Sequence, residues 1–382
     1  AVGHVTTIGA SCLDIRADRL ARLLTGYCVE VRPEDWVLIR ADLLGLPLVE
    51  RVVEYVLAAG GRPTVQLLAD TLDETVLRHA SDEQLAWLSP VDQMLAERVD
   101  ARIVIRAPGN TRSLSGIAPE RQRILQNAQR PISQTYMQRA AAGTHRWALT
   151  VFPCDAYAQE SDMSLREYAD FVYAATYADQ EDPVAAWRGV HARQQRLVDW
   201  LKGKSQVVAR GPNIDLTLSI AGRTFINSDG KRNMPSGEVF TGPVEDSANG
   251  WIKFSYPALR GGREVDGVEF VFENGRVAKA SAGKNEAYLL SQLDSDEGSR
   301  YLGEFAIGTN DQIQRFTKNI LFDEKIGGTL HVAVGAGYPE TGSRNHSSVH
   351  WDFICDMRHD SEIWVDGELF YKNGKVSEQI IG

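Results

Sequence analysis

The stretch Trp36-Val37-Leu38-Ile39-Arg40-Ala41, with residues 46–59 behind it, decides the fold of the first half of this chain. The apolar run reads as a buried strand. Leu48, Val49, Val52, Val53, Val56 and Leu57 then recur at helical spacing, and Gly60-Gly61 stops the helix. The alternation continues outward on both sides. Residues 64–68 read as a strand, 74–86 as a helix, and 101–107, around Arg102-Ile103-Val104-Ile105, as another buried strand. A helical pair, 119–128 and 132–142, leads to a strand over 146–152, and two further helices are expected over 165–177 and 183–201. Strands separated by helices of this length predict βαβ units and a mostly parallel sheet.

After Lys202-Gly203-Lys204 the pattern changes to short strands with tight polar turns, at 206–210, 215–220 and 223–227. Asn274-Gly275, Asp366-Gly367 and Asn373-Gly374 each follow a β-rich run and supply the positive φ that two-residue hairpin turns need. One helix is expected over 285–293. The reading is an α/β N-terminal domain with a mostly parallel sheet (1–200), followed by an α+β domain rich in antiparallel strands (201–382).

Composition narrows the function. The 382 residues are 43% hydrophobic and 24% charged, and the formal charge is −10 with no long basic stretch, which argues against a nucleic-acid partner. Cys12, Cys28, Cys154 and Cys355 are scattered and read as reduced thiols rather than a disulfide frame. No apolar run approaches the roughly 20 residues that span a bilayer, so no membrane partner is expected. The start, Ala1-Val2-Gly3-His4, lacks a basic segment followed by an apolar one, and the expected compartment is the cytoplasm.

The first half has no Gly-rich dinucleotide turn, no P-loop lysine and no GxSxG serine; His4, His79, His145 and His191 stand isolated. The second half is richer. His350-Trp351-Asp352 sets two ligand types at i and i+2, which project from one face of a strand. His331 lies in the apolar strand Thr329-Leu330-His331-Val332-Ala333-Val334-Gly335. Glu304 and Glu324 sit beside apolar residues, and Glu238 lies in Pro235-Ser236-Gly237-Glu238-Val239-Phe240. Buried carboxylates need a cation or a hydrogen-bond network, and Arg232, Arg260, Arg300 and Arg344 are alternative partners to a metal. Three Glu, one Asp and two His suffice for two divalent ions sharing a carboxylate, with a bridging water made acidic between them.

In order, Ser236-Gly237-Glu238-Val239-Phe240-Thr241, Leu302-Gly303-Glu304, Asn319-Ile320-Leu321-Phe322-Asp323-Glu324, His331-Val332-Ala333-Val334-Gly335 with Gly337-Tyr338-Pro339, and Asn345-x-Ser347-x-x-His350-x-Asp352 resemble the motifs of the thermophilic metallo-aminopeptidases (aminopeptidases T and S, PepS). The resemblance covers most of the chain and is densest over 234–374. It implies a homodimeric exopeptidase that removes N-terminal residues with two divalent ions, zinc or cobalt, with manganese or magnesium as alternatives. By position it implies Glu238, Glu304, Glu324, His331, His350 and Asp352 as metal ligands and Tyr338 as a catalytic group. It also gives the first half a shielding and dimerising role. The chain departs from the family pattern in a short segment of eleven residues between Tyr338 and His350, and in a longer interval from Glu324 to His331. The rival reading is a ring-cleaving dioxygenase holding one non-haem iron on His331, His350 and Asp352; it has no need of Glu238 and Glu304. A non-catalytic binding protein would leave all these carboxylates without a task.

Overall fold

The computed structural model describes residues 14–381; the chain start, with His4 and Cys12, lies outside the described residues. The chain divides into two compact units. One runs up to Gln159 and adds Met163–Ala186 and Lys231–Met234; the other comprises Glu160–Asp162, Trp187–Gly230 and everything from Pro235 onward.

In the first unit the strand Trp36–Asp42 pairs in parallel with Arg62–Leu68 on one side and Ala101–Arg106 on the other. The sheet continues in parallel through Arg146–Val151 to the short strand Asn233–Met234. Val37, Leu38, Ile39 and Ala41 are buried, as a central strand covered on both faces requires. The helix Leu46–Ala58 buries Leu48, Val49, Val52 and Val56, and Gly60 (φ +82°) takes the left-handed turn beyond it.

Two helical expectations differ from the structure. The helix expected over 74–86 is two, Asp70–His79 and Asp82–Ala86, because Ser81 starts a new helix through a capping box with Gln84. The pair expected around Pro131 is one helix, Pro119–Ala141. Proline removes a single amide from the ladder. Contacts on both sides hold the helix across the break: Arg121 donates to Leu77 O at 2.7 Å, and Arg102 stacks 3.9 Å over the Tyr136 ring.

The second unit is antiparallel. All three expected turns have the positive φ pair: Asn274 and Gly275 at +48° and +83°, Asp366 and Gly367 at +49° and +81°, Asn373 and Gly374 at +48° and +80°. One sheet has eight strands. A five-stranded sheet runs His350–Asp356, Thr329–Gly335, Leu302–Gly308, Glu238–Thr241, Ile226–Ser228. Alternate residues of this second sheet (Val239, Phe305, Ile307, Leu330, Val332, Val334, Trp351, Phe353 and Cys355) enter the main core with Phe254, Phe270 and Ile363. That packing fixes which face remains for chemistry.

Candidate metal centre

With that face committed to the core, the register assigns the residues on the other. Gly308 pairs with Glu238 and Ala306 with Phe240. Ala306 also pairs with His331, and Glu304 with Ala333. Across the next ladder Ala333 pairs with Asp352 and Gly335 with His350. Directly paired residues share a face, so Glu238, Glu304, His331, His350 and Asp352 all project from one side. The residues between them there, Ala306, Gly308, Ala333 and Gly335, are small and leave room above the sheet.

A bulge makes this possible. Leu302 and Glu304, two apart, would share a face in a regular strand. The register shifts between them, so Leu302 joins the core while Glu304 turns to the opposite face. Gly303 occupies the bulge, where a Cβ would meet Ala336 O at 2.3 Å and Gly335 O at 2.4 Å; only glycine fits that approach.

Two ligand groups result. Glu238, Glu324 and His331 offer one donor atom each within 4.8 Å of one another, and Glu304, His350 and Asp352 do the same. Glu304 links the groups: Oε1 lies 3.3 Å from His331 Nε2 and Oε2 lies 3.5 Å from His350 Nε2. His331 Nε2 is also 3.4 Å from Glu238 Oε2, and His350 Nε2 is 3.7 Å from Asp352 Oδ1. Glu324 is not on the sheet. It caps the short helix Ile320–Asp323, whose N-cap Asn319 side chain accepts from Leu321 N.

Supporting contacts orient the set. His350 Nδ1 donates to Ala336 O at 2.7 Å, which turns Nε2 toward the carboxylates. Gln194, buried in the second unit, donates to Glu238 O at 3.1 Å and accepts from Thr309 Oγ1 at 2.7 Å. The segment before His350 is tied down by Asn345, which donates to Gly335 O at 2.6 Å. Asp296 accepts from Ser347 Oγ at 2.8 Å and from Ser348 N at 2.7 Å. The Asn345 and Ser347 motif positions are thus structural. The Tyr338 ring packs 5.4 Å from both Phe240 and His350, and the residue is 40% exposed.

The charges of these groups act strongly on one another. Burial alone would depress His331, but its hydrogen bond to Glu304 and the charges of Glu238, Glu304 and Asp352 outweigh it and raise its pKa. Burial also works against protonated His350, and Asp352 and Glu304 reverse the sign. Burial and then Glu304 push Asp352 upward, with His350 opposing. For Tyr338, desolvation and then the carboxylates of Glu304, Asp352 and Glu238 hold the phenol well above its usual range. Glu238 Oε2, Asp352 Oδ1 and His331 Nδ1 are buried without a hydrogen bond. Unsatisfied anionic oxygens beside imidazole nitrogens fit a divalent metal, with hard oxygen and borderline nitrogen donors. Three of the four alternative arginine partners are engaged elsewhere: Arg260 with His350 O and Gln292, Arg300 with Asp294, Arg344 with Glu245.

The thermophilic metalloprotease (M29) family model matches residues 13–376. The chain belongs to this family. It is therefore a peptidase, and the family implies a divalent metal cofactor. Aminopeptidase 2 of Geobacillus stearothermophilus is 28% identical, covering 94% of this chain and 94% of that protein. Aminopeptidase AmpS of Bacillus subtilis is 27% identical over 93% and 96%, and aminopeptidase T of Thermus thermophilus is 28% identical over 77% and 78%. The solved structure of wild-type AmpT from Thermus thermophilus superposes with a TM-score of 0.83 at 23% identity, covering 94% of this chain and 98% of that one, which shows a common fold. No helix among the described residues of the peptidase is long and apolar enough to cross a membrane.

One participant escaped the sequence reading. Lys325 is fully buried, and its Nζ sits 3.2 Å from Glu238 Oε1 and against Glu324 Oε1. Its signal was its setting, a lysine between the apolar Leu321-Phe322 and Ile326; Glu-Lys neighbours usually read as a solvated pair.

Proposed function

We propose that this peptidase is an aminopeptidase, removing the N-terminal residue of peptides with a metal-activated water. The observation that carries the reading is Glu304, one carboxylate within reach of both imidazoles, which joins two candidate ligand groups. In this reading Glu238, Glu324 and His331 would hold one ion, and Glu304, His350 and Asp352 the other. Zinc or cobalt suits the mixed donors best, with manganese or magnesium as alternatives. When bound, such ions supply Lewis acidity and bring a water's pKa toward neutrality.

The chain's own groups do the rest. His350, fixed through Nδ1, keeps Nε2 aimed at the centre. Tyr338, with its phenol pKa raised, keeps its proton at neutral pH and donates it as a hydrogen bond to the oxyanion developing on the scissile carbonyl. The excess of carboxylates attracts the free α-amine of a substrate, which restricts cleavage to the N-terminal bond. The relatives named as aminopeptidases support the same activity. The proposal includes a cytoplasmic homodimer.

The dioxygenase alternative gives Glu238, Glu304 and Glu324 no task. Metal-loaded protein is expected to hydrolyse an aminoacyl-nitroanilide without consuming oxygen. Oxygen uptake with ring opening of a dihydroxypyridine, and no aminoacyl release, would replace the peptidase assignment of this site.

A further inference from the structure

The two ligand groups differ in what already neutralises them. At Glu238 and Glu324 the cation is Lys325, whose side chain is 0% exposed and whose Nζ contacts one oxygen of each carboxylate. Its backbone is anchored as well: Lys325 N donates to Phe322 O at 3.0 Å, and its carbonyl accepts from Asn310 N at 3.1 Å. At Glu304, His350 and Asp352 the ion pairs among the described residues are with the imidazoles of His331 and His350, and no lysine or arginine joins them.

We propose that Lys325 makes the two metal positions unequal, so that the ions load in order. The first divalent ion binds tightly at Glu304–His350–Asp352. The second enters Glu238–Glu324–His331 only at higher metal concentration, because an ammonium already sits against those carboxylates. This inference rests on the two-group reading above and adds an order of filling to it. Lys325 holds Glu238 Oε1 and leaves Oε2 free beside His331; if the ion also takes the oxygens that Lys325 holds, the ammonium, confined in a dry interior, loses both partners at once. If Lys325 stays in place, it repels the ion across a few ångströms of low-dielectric protein. At the first position no ammonium is seated on the carboxylates, and the charge of Lys325 reaches Asp352 only as a weaker influence without an ion pair. Metal supply would thereby set whether the centre carries one ion or two.

The test is a binding measurement rather than an assay of turnover. Metal-stripped full-length protein is titrated with Co2+ alone, following bound metal by equilibrium dialysis and the cobalt absorption bands. Two steps are expected, separated by about tenfold or more in affinity. Lys325→Met, which keeps the apolar stem and removes the charge, should tighten the second step by about tenfold, and Lys325→Arg should keep the steps apart. Lys325→Gln serves as a second neutral variant, and circular dichroism checks that each variant is folded. Wild-type protein that takes both ions with equal affinity overturns the proposal; so does a folded neutral variant whose second step is unmoved. Should every neutral variant unfold, the wild-type separation decides alone. A protein that binds no cobalt at all fails the two-group reading itself, a distinct result.

Discussion

Glu304 and His331 meet on a diagonal between two antiparallel strands, Oε1 to Nε2 at 3.3 Å, while the register pairs Glu304 with Ala333 and His331 with Ala306. Small residues directly opposite leave the space in which the long carboxylate and the imidazole reach each other. The arrangement depends on the bulge that turns Glu304 away from the core.

Gly303→Ala tests that dependence. A methyl group there collides with two backbone carbonyl oxygens, at 2.3 and 2.4 Å, and backbone cannot yield as a side-chain tip can. The variant should lose about 2–4 kcal/mol of stability and bind metal more weakly. Denaturant unfolding beside metal analysis checks both; a normally stable, fully loaded variant would show that the bulge is dispensable.

Glu304→Gln keeps the shape and removes the charge shared by the two imidazoles. Metal affinity and turnover should both fall, by roughly 100-fold. Equilibrium dialysis and kcat/KM measure the two quantities, and unchanged affinity would remove Glu304 from the ligand set.

Tyr338→Phe separates binding from chemistry. Metal content should stay at the wild-type level, while kcat falls by about 100-fold to 1,000-fold, the usual cost of one oxyanion donor. Full activity in this variant would mean the ring only packs against Phe240 and His350.

The first unit carries a pH dependence of its own. His145 is buried, its Nδ1 lies 3.3 Å from Val99 O, and its ring packs 4.9 Å from Tyr136. Burial, and then Arg102, Arg139 and Arg146, push its pKa down to about 4 from the ordinary 6.5, with the Val99 hydrogen bond opposing. Because the folded value is the lower one, the unfolded chain binds this proton first. The group costs nothing above pH 6.5, and stability falls as pH drops from 6.5 toward 4. Between pH 7 and pH 5 the loss should be about 1–2 kcal/mol, and His145→Phe should remove that slope. Urea unfolding at the two pH values decides it; identical slopes in both proteins would assign the acid sensitivity elsewhere.

Much of this was legible in the sequence because it is periodic. The apolar run at Trp36 and the helical face of Leu48, Val52 and Val56 specify a covered parallel strand and its crossover helix, and the three Asn-Gly and Asp-Gly turns specify hairpins. His350 and Asp352 announce a shared face through their i, i+2 spacing. What stayed hidden depends on register and on distant packing. Nothing local says that Gly303 bulges, so the diagonal meeting of Glu304 with His331 is invisible until strands are paired. Pro131 reads locally as a break because its anchors, Leu77 and Arg102, lie far away in sequence. Lys325 is masked by its neighbour Glu324, since burial, not spacing, turns that pair from a surface feature into part of the centre.

In the proposed function the sheet-face carboxylates and imidazoles hold metal for cleavage at a free N-terminus. The most direct measurement compares one peptide with its N-acetylated form, using metal-loaded protein, chelated protein, and chelated protein given metal back. Release of the first residue from the free-amine peptide alone, abolished by chelation and restored by metal, is the predicted result. Cleavage that survives metal removal, or that proceeds equally on the acetylated peptide, would contradict it.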